Sequence, residues 1–173
     1  IPILSYAMFS EHEMVRQAAT EAMCNLIPHP EIMDHLKKED NIKVWVAFAL
    51  DYEANFACAR AAVGGIAMAV PDPEFASTLV RCGNFEELIR TLMECGQLEI
   101  MHRVFALVAS LIEHGGKCRD AVVSTGAGQF CKAYLESYHD EKKVTEFNFT
   151  AAERGSLAAT LSLAKEIVKL LSL

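Results

Sequence analysis

The sequence contains no strongly basic segment, and this lack excludes several classes of partner. Its longest basic runs are the pairs Lys37-Lys38 and Lys142-Lys143, and the net charge is −7 at pH 7. Nucleic-acid binders usually carry a basic stripe, and anionic membranes attract clusters of lysine and arginine. We therefore expect neither nucleic acid nor a membrane as a partner. The acidic surface of this chain would suit a partner protein that carries a basic patch.

Long hydrophobic runs and C-x-x-C pairs are also missing. Because no run of about 18 uncharged apolar residues is present, no membrane span is expected. The chain starts at Ile1 in an apolar helical pattern, from which we expect no signal peptide and a piece of a longer chain. The six cysteines are expected to be reduced thiols in a cytoplasmic protein, packed mostly as small hydrophobes.

Proline and glycine are scarce, and an apolar pattern recurs between them at nearly constant spacing. Each copy has small or apolar residues at positions i, i+3, i+4 and i+7, and successive copies begin 43, 42 and 53 residues apart. The copies are Ala19-x-x-Ala22-Met23-x-x-Leu26, Ala62-x-x-Gly65-Ile66-x-x-Ala69, Val104-x-x-Leu107-Val108-x-x-Leu111 and Leu157-x-x-Thr160-Leu161-x-x-Ala164. A period near 42 is typical of armadillo and HEAT repeats, which stack on their neighbours to bury their apolar faces.

The repeat predicts an all-α, armadillo/HEAT-like, right-handed superhelical solenoid. We expect about three complete three-helix repeats after a truncated N-terminal helix, with the long helices lining one concave side. All of residues 1–173 are expected to form one array. Its repeat units are predicted at roughly 1–27, 28–70, 71–115 and 116–173.

Helix-start and helix-end signals support these boundaries. Ser10-x-x-Glu13 and Thr150-x-x-Glu153 have the spacing of capping boxes ahead of the first and last long helices. Asp72-Pro73 places a capping residue before a proline at the first helical position. Gly83 and Gly126 are predicted to end the preceding helix in the left-handed conformation.

Motifs for catalysis and metal binding are incomplete. His12-Glu13 lacks the second histidine of the zinc-protease motif, because Arg16 stands at that position. His114 and Cys118 lack a second pair of ligands, and the glycine-rich segment Thr125-Gly126-Ala127-Gly128 lacks the lysine of a phosphate-binding loop. We therefore predict no enzyme activity, no metal and no cofactor. A helical enzyme is the alternative, and it requires a deep pocket lined by ionisable groups.

The first long helix resembles a known type of repeat. The segment from Glu13 to Leu26 resembles the third helix of an armadillo repeat, including its Ala19-x-x-Ala22-Met23-x-Asn25-Leu26 core. The run from Met8 to Leu26, and the shorter Gln97-Leu98-Glu99-Ile100-Met101-His102-Arg103, are similar to the UCS-domain myosin chaperones. This resemblance covers residues 1 to 138 and is to the C-terminal armadillo repeats of the UCS domain.

The resemblance implies a function and a set of partners. The chain is expected to bind the myosin motor domain, in muscle among other settings, and to assist its folding and assembly without hydrolysing nucleotide. Family members recruit Hsp90 through an N-terminal tetratricopeptide module, and no such pattern is visible in this sequence, so Hsp90 is expected only through a module outside this fragment. The alternative is a general armadillo scaffold or adaptor that binds linear peptides.

Groove positions of an armadillo helix fall between its core positions. Gln17, Glu21 and Asn25 stand four apart on one face of the first long helix. The resemblance gives Asn25 the role of the armadillo asparagine, which hydrogen-bonds a partner's backbone. Equivalent positions in later repeats hold Arg60, Gly64 and Met68, then His102, Ala106 and Ser110. The predicted partner-binding groove comprises Gln17, Glu21, Asn25, Arg60, Met68, His102, Arg103 and Ser110.

Three further expectations concern the mode of binding, the N-terminal helix and residues 140–150. Because only one repeat keeps the asparagine, and Met68 and Ser110 stand at its equivalents, a broad contact is favoured over ladder-like binding of an extended peptide. The truncated helix from Ile1 to Phe9 is expected to expose an apolar face, which predicts self-association through that end. Residues 140–150 exceed the repeat period. They are expected to extend a helix or to tuck their phenylalanines into the last core, with a functional loop as the alternative.

Overall fold

The computed structural model describes residues 1–138 and 150–172, and all regular secondary structure in these ranges is helical. The prediction of an all-α fold is confirmed. The described helices are α1 (Pro2–Ala7), α2 (Glu13–Leu26), α3 (Pro30–Leu36), α4 (Glu39–Leu50), α5 (Phe56–Ala69), α6 (Pro73–Arg81), α7 (Phe85–Glu94), α8 (Leu98–Glu113), α9 (Gly116–Ser124), α10 (Ala127–Ser137) and α11 (Ala151–Leu171). None of the helices in these two ranges has the length and apolar character needed to cross a bilayer.

The repeat seen in the sequence sets where the helices begin. Helices α2 and α5 each contain 14 residues and lie 43 positions apart at both their starts and their ends. The short helices α3, α6 and α9 begin at residues 30, 73 and 116, which are again 43 apart. Each short helix is followed by a second helix and then by a long one, so the three-helix unit is present in the chain.

The chain divides into two compact units, residues Ile1–Leu88 and Ile89–Leu173. The expectation of one array with boundaries near residues 27, 70 and 115 stays a prediction.

The core of the first unit lies between its two long helices and the helix that precedes α5. Helix α2 packs along α5, and α4 packs on α5 as well. Met23, Ile42 and Ile66 are each at most 2% exposed. Full burial of an aliphatic side chain of this size stabilises a fold by about 1.5–3 kcal/mol. The apolar stripe of the sequence therefore holds this unit together.

In the second unit the long helix α8 packs along the last helix α11, and α10 also contacts α11. An aromatic cluster supports this packing. The ring of Phe105 meets the ring of Phe130 edge-on at 6.3 Å and that of Tyr134 at 5.5 Å, and the latter two rings are stacked at 6.2 Å. Edge-to-face pairs of this kind add about 0.5–1.5 kcal/mol beyond the area they bury.

Two of the predicted helix caps are confirmed. The Asp72 carboxylate accepts hydrogen bonds from the backbone N–H groups of Glu74 and Phe75, each at 3.0 Å, and Pro73 opens α6. Thr150 and Glu153 form the reciprocal capping box at the start of α11.

Two other local predictions are wrong. Helix α2 begins one residue after His12, and the Ser10 hydroxyl accepts from the His12 N–H at 3.2 Å, before the helix has started. Gly83 does not adopt the left-handed conformation, because α6 is already ended by Cys82, whose backbone is extended. Gly126 does adopt it, with φ at +79°, as predicted. Residues 140–149 of the predicted long segment lie outside the described residues.

Candidate partner-binding site

The two long helices of the first unit present their predicted groove positions on neighbouring elements. Because α2 and α5 lie side by side, predicted positions of the two helices come into contact, as Glu21 and Arg60 do. Small buried residues, Ala19 and Ala62, allow the two backbones to approach each other. We use the name paired-helix face for Gln17, Glu21 and Asn25 of α2 together with Arg60, Gly64 and Met68 of α5.

One end of the paired-helix face is a polar row. The Glu21 carboxylate accepts a hydrogen bond from the Gln17 amide at 3.3 Å and from the Arg60 guanidinium at 3.4 Å. The side chains of Glu21 and Arg60 are 40% and 34% exposed. An ion pair as exposed as this one contributes only about 0.2–1 kcal/mol to stability. The row can therefore rearrange toward a partner at little energetic cost.

The other end of the paired-helix face is apolar and soft. The Met68 thioether is 45% exposed, and its sulfur lies 4.0 Å from the Cys24 thiol of α2. Leu26 is exposed to the same degree, and Asn25 is exposed beside it. Unbranched, polarisable methionine adapts to differently shaped apolar surfaces, which is why it is frequent at promiscuous binding sites. This end can accept an apolar side chain of a partner while the Asn25 amide hydrogen-bonds the partner's backbone.

The remaining predicted residues belong to α8 in the second unit. His102 and Ser110 are half-buried and stand eight residues apart, two helical turns along the same face. The Arg103 guanidinium folds back and donates to the Glu99 carbonyl at 2.5 Å.

His102 is the most constrained member of this group. Its Nδ1 atom is buried and has no hydrogen-bond partner among the described residues. Burial lowers the pKa of the His102 imidazole, and the positive charge of Arg103 lowers it further. The imidazole is therefore expected to be neutral at neutral pH.

The structure brings Gln17, Glu21 and Arg60 into direct contact. Sequence reasoning missed two contributors to the same surface. Cys24 touches Met68, although its number differs from that of Met68 by 44 and not by the repeat offset of 43. Arg16 donates to the side chain of Asn55, the residue before α5, at 3.3 Å and so joins the starts of both helices. The signal for both was their position next to an aligned residue, which a search for identical repeat positions overlooks.

Groups able to hold a metal are not found in the part of the chain that the structure describes.

No protein-family profile matches the chain, but individual proteins do. Protein unc-45 homolog B of Danio rerio is 30% identical over 115 residues, which are 65% of this chain and 12% of that protein. The protein of the same name from Homo sapiens is 25% identical over 146 residues, or 83% of this chain and 16% of that protein. The chain thus spans between about an eighth and a sixth of the length of these relatives.

Among solved structures, the chain is similar to an engineered protein, Northeast Structural Genomics Consortium Target OR329. The TM-score is 0.68 at 14% identity, and the match covers 96% of this chain and 66% of the engineered one. At this identity the likeness concerns the fold alone, and it agrees with the helical repeat. Together the comparisons show similarity to a part of unc-45 homolog B and to a solved structure of the same fold.

Proposed function

We propose that this chain is the client-binding armadillo module of a myosin-directed chaperone, and that its client is the myosin motor domain. The similarity to unc-45 homolog B over 115 to 146 residues, together with the resemblance of its first long helix to the UCS-domain myosin chaperones, supports this proposal. The observation that carries it is the paired-helix face, which combines a rearrangeable polar row with an exposed methionine.

The paired-helix face fits a folded or partly folded client better than a small molecule. Its two ionisable groups, Glu21 and Arg60, pair with each other. The side chains of Met68 and Asn25 are exposed to solvent on the surface of their helices. We therefore propose binding without catalysis or cofactor, in the cytoplasm, with His102, Arg103 and Ser110 adding contacts from α8. Hsp90 would be recruited only by a module outside this chain.

The direct test measures whether the purified chain binds and protects a myosin motor domain. Calorimetric titration measures binding, and light scattering follows aggregation of the motor domain during heating. We expect saturable binding and slower aggregation at equimolar chain. A chain that neither binds the motor domain nor delays its aggregation sinks the client assignment.

Variants of the paired-helix face test where the client binds. Met68→Glu places a charge on the apolar end and is expected to weaken binding at least tenfold, because a buried apolar contact is replaced by an unpaired carboxylate. The matched control is Val123→Glu, which adds the same charge to a side chain that is 54% exposed in the second unit. Equal binding by both variants would place the client elsewhere.

The polar row calls for a different variant. The exchange Glu21→Arg with Arg60→Glu keeps a charge pair between the two helices but reverses its direction. We expect the unfolding free energy to stay within about 1 kcal/mol of wild type, while affinity for the motor domain falls. Unchanged affinity would show that the row takes no part in recognition.

A further inference from the structure

Four carboxylates lie close to the starts of the two helices that form the paired-helix face. Glu13 is the first residue of α2 and lies one helical turn before the polar row. The Arg16 guanidinium donates to the Glu11 carbonyl at 2.9 Å and to the Asn55 side chain at 3.3 Å. Asn55, the residue before α5, in turn donates to the Asp51 carboxylate. We give the name acidic end to Glu11, Glu13, Asp51 and Glu53.

The acidic end has an excess of negative charge. Its four side chains are exposed, and none of them pairs with a lysine or arginine in residues 1–138 and 150–172. The Arg16 guanidinium is occupied by backbone carbonyls and by Asn55. Each helix start adds a partial charge of about +0.5. With Arg16 and both helix starts included, the acidic end still carries about two negative charges.

The stability of the helices explains only one of these carboxylates. An acid in the first turn favours a helix, as Glu13 does in α2. Asp51 lies at the end of α4, where the helix dipole disfavours a negative charge. Glu11 and Glu53 lie outside the helices. The helices therefore do not account for the concentration of carboxylates at this place.

An aromatic side chain adds a second feature that suits a cation. Phe56 is the first residue of α5, at the position equivalent to Glu13 in α2, and its side chain is 36% exposed. The face of an aromatic ring attracts lysine and arginine side chains, and a carboxylate pairs with them. The starts of α2 and α5 thus carry both kinds of group that bind a basic side chain.

The opposite end of the two helices contains no charged side chain. Residues 22–28 and 61–71 include no aspartate, glutamate, lysine or arginine. Leu26 and Met68 are each 45% exposed there. Since a helix rises 1.5 Å per residue, Glu13 and Leu26 are separated by about 20 Å along α2. The surface is therefore negative where the two helices begin and apolar where they end.

We propose that this surface binds a client segment that is basic at one place and apolar at another. A lysine or arginine of the client would lie at the acidic end, and a bulky apolar side chain of the same segment would lie about 20 Å away, against Leu26 and Met68. Charge complementarity favours a basic client, because the chain itself has a net charge of −7. The inference rests on the proposed function and specifies the chemistry of the client.

Binding of the myosin motor domain, measured by calorimetric titration, tests the role of the acidic end. The triple variant Glu11→Gln, Glu13→Gln, Glu53→Gln removes three negative charges and keeps the size of each side chain. We expect its affinity at low salt to be about tenfold lower, because each exposed ion pair contributes up to about fivefold. Raising the salt from about 50 mM to about 500 mM should weaken wild-type binding about tenfold and that of the variant about threefold.

The matched control removes three exposed carboxylates from the second unit, by Glu94→Gln, Glu113→Gln and Glu166→Gln. It has the same net charge as the first triple variant, and its affinity should stay within about twofold of wild type. Far-UV circular dichroism and urea unfolding verify that both variants are folded.

The possible results distinguish this inference from the proposed function. If both triple variants bind the motor domain equally well, the acidic end does not recognise the client and the inference is wrong, while the client assignment stands. If wild-type binding does not depend on salt, the inference is likewise wrong. If the wild-type chain does not bind the motor domain at any salt concentration, both proposals are overturned together.

Discussion

The indole ring of Trp45 lies against the backbone of Gly65. A Cβ atom at position 65 would stand 2.1 Å from Cζ3 of that ring and 2.8 Å from Cη2. Trp45 belongs to α4 and is 3% exposed, while Gly65 is in the interior of α5. A glycine within a helix is less favourable than alanine by about 1 kcal/mol. The Trp45 ring explains why a glycine is nevertheless present at position 65, because the indole occupies the space that a side chain would need.

This contact predicts the effect of Gly65→Ala. The substitution raises helix propensity, but its methyl group overlaps the buried indole ring of Trp45. We expect the free energy of unfolding to fall by about 1–3 kcal/mol, the usual effect of overpacking a core. Urea unfolding monitored by circular dichroism measures this change in the free energy of unfolding.

Gly155→Ala is the matched control. Gly155 also lies within a long helix, α11, but a Cβ atom there would have no neighbour within 4 Å among the described residues. This variant is expected to gain about 0.5–1 kcal/mol. Trp45→Leu should reduce the loss caused by Gly65→Ala, because the two positions are coupled. Equal stability changes in the two glycine variants would contradict the overlap.

A second prediction concerns Asp72, which joins α6 to α3. Its carboxylate caps α6, and its other oxygen lies 3.0 Å from the Lys37 ammonium. Burial raises the pKa of Asp72, but the hydrogen bonds from the Phe75 N–H, from Lys37 and from the Glu74 N–H lower it more, so it lies below its ordinary value. A carboxyl whose pKa is lowered by folding stabilises the fold above its unfolded pKa, and this stabilisation is lost as the pH falls.

The stabilisation by Asp72 is therefore expected to be complete at neutral pH and to disappear below a pH of about 4. Asp72→Asn separates charge from capping, because asparagine caps helices well but cannot pair with Lys37. Urea midpoints of this variant should lie below those of wild type at neutral pH and converge with them in acid. A constant difference across the titration would exclude an ionised Asp72 as the cause.

The sequence predicted the helices of this fold better than the contacts between them. A regular apolar stripe determines which face of each helix is buried. The 43-residue spacing of its first two copies predicted that α5 would follow α2 at that distance, as it does. The packing of Trp45 on Gly65 was not predicted, although Gly65 was recognised as a small residue. Which side chain fills a gap depends on the rotation and the distance of the neighbouring helix, and a single sequence does not specify these quantities.

Two motifs of the same spacing illustrate the limit more closely. Thr150-x-x-Glu153 caps α11, whereas Ser10-x-x-Glu13 does not cap α2, because the chain enters that helix two residues later, at His12. The Arg16 guanidinium binds the Ser10 and Glu11 carbonyls and holds the preceding loop in place. A contact between a side chain of α2 and the loop before it thus replaces the cap that the spacing predicted.

These two sites give a paired prediction. Thr150→Ala removes a cap that accepts the Glu153 N–H at 3.3 Å, and it is expected to destabilise the chain by about 1 kcal/mol and to speed hydrogen exchange in the first turn of α11. Ser10→Ala removes only a bond within a loop, and the change should be a few tenths of that. Similar losses in both variants would show that Ser10 does act as a cap in solution.

The last prediction concerns the reactivity of Cys131. Its thiol lies in α10 with no solvent exposure, and burial raises its pKa to about 12. Since the thiolate is the reactive species, only about one molecule in ten thousand is reactive at pH 8. In the folded chain, iodoacetamide is therefore expected to label the half-buried Cys24 while Cys131 remains unmodified, as measured by mass spectrometry of the digested protein. In urea both thiols should react at similar rates. If Cys131 were labelled as fast as Cys24 in the folded chain, α10 would have to open on the time scale of the reaction. Its contact with α11 would then be far weaker than the burial of Cys131 indicates.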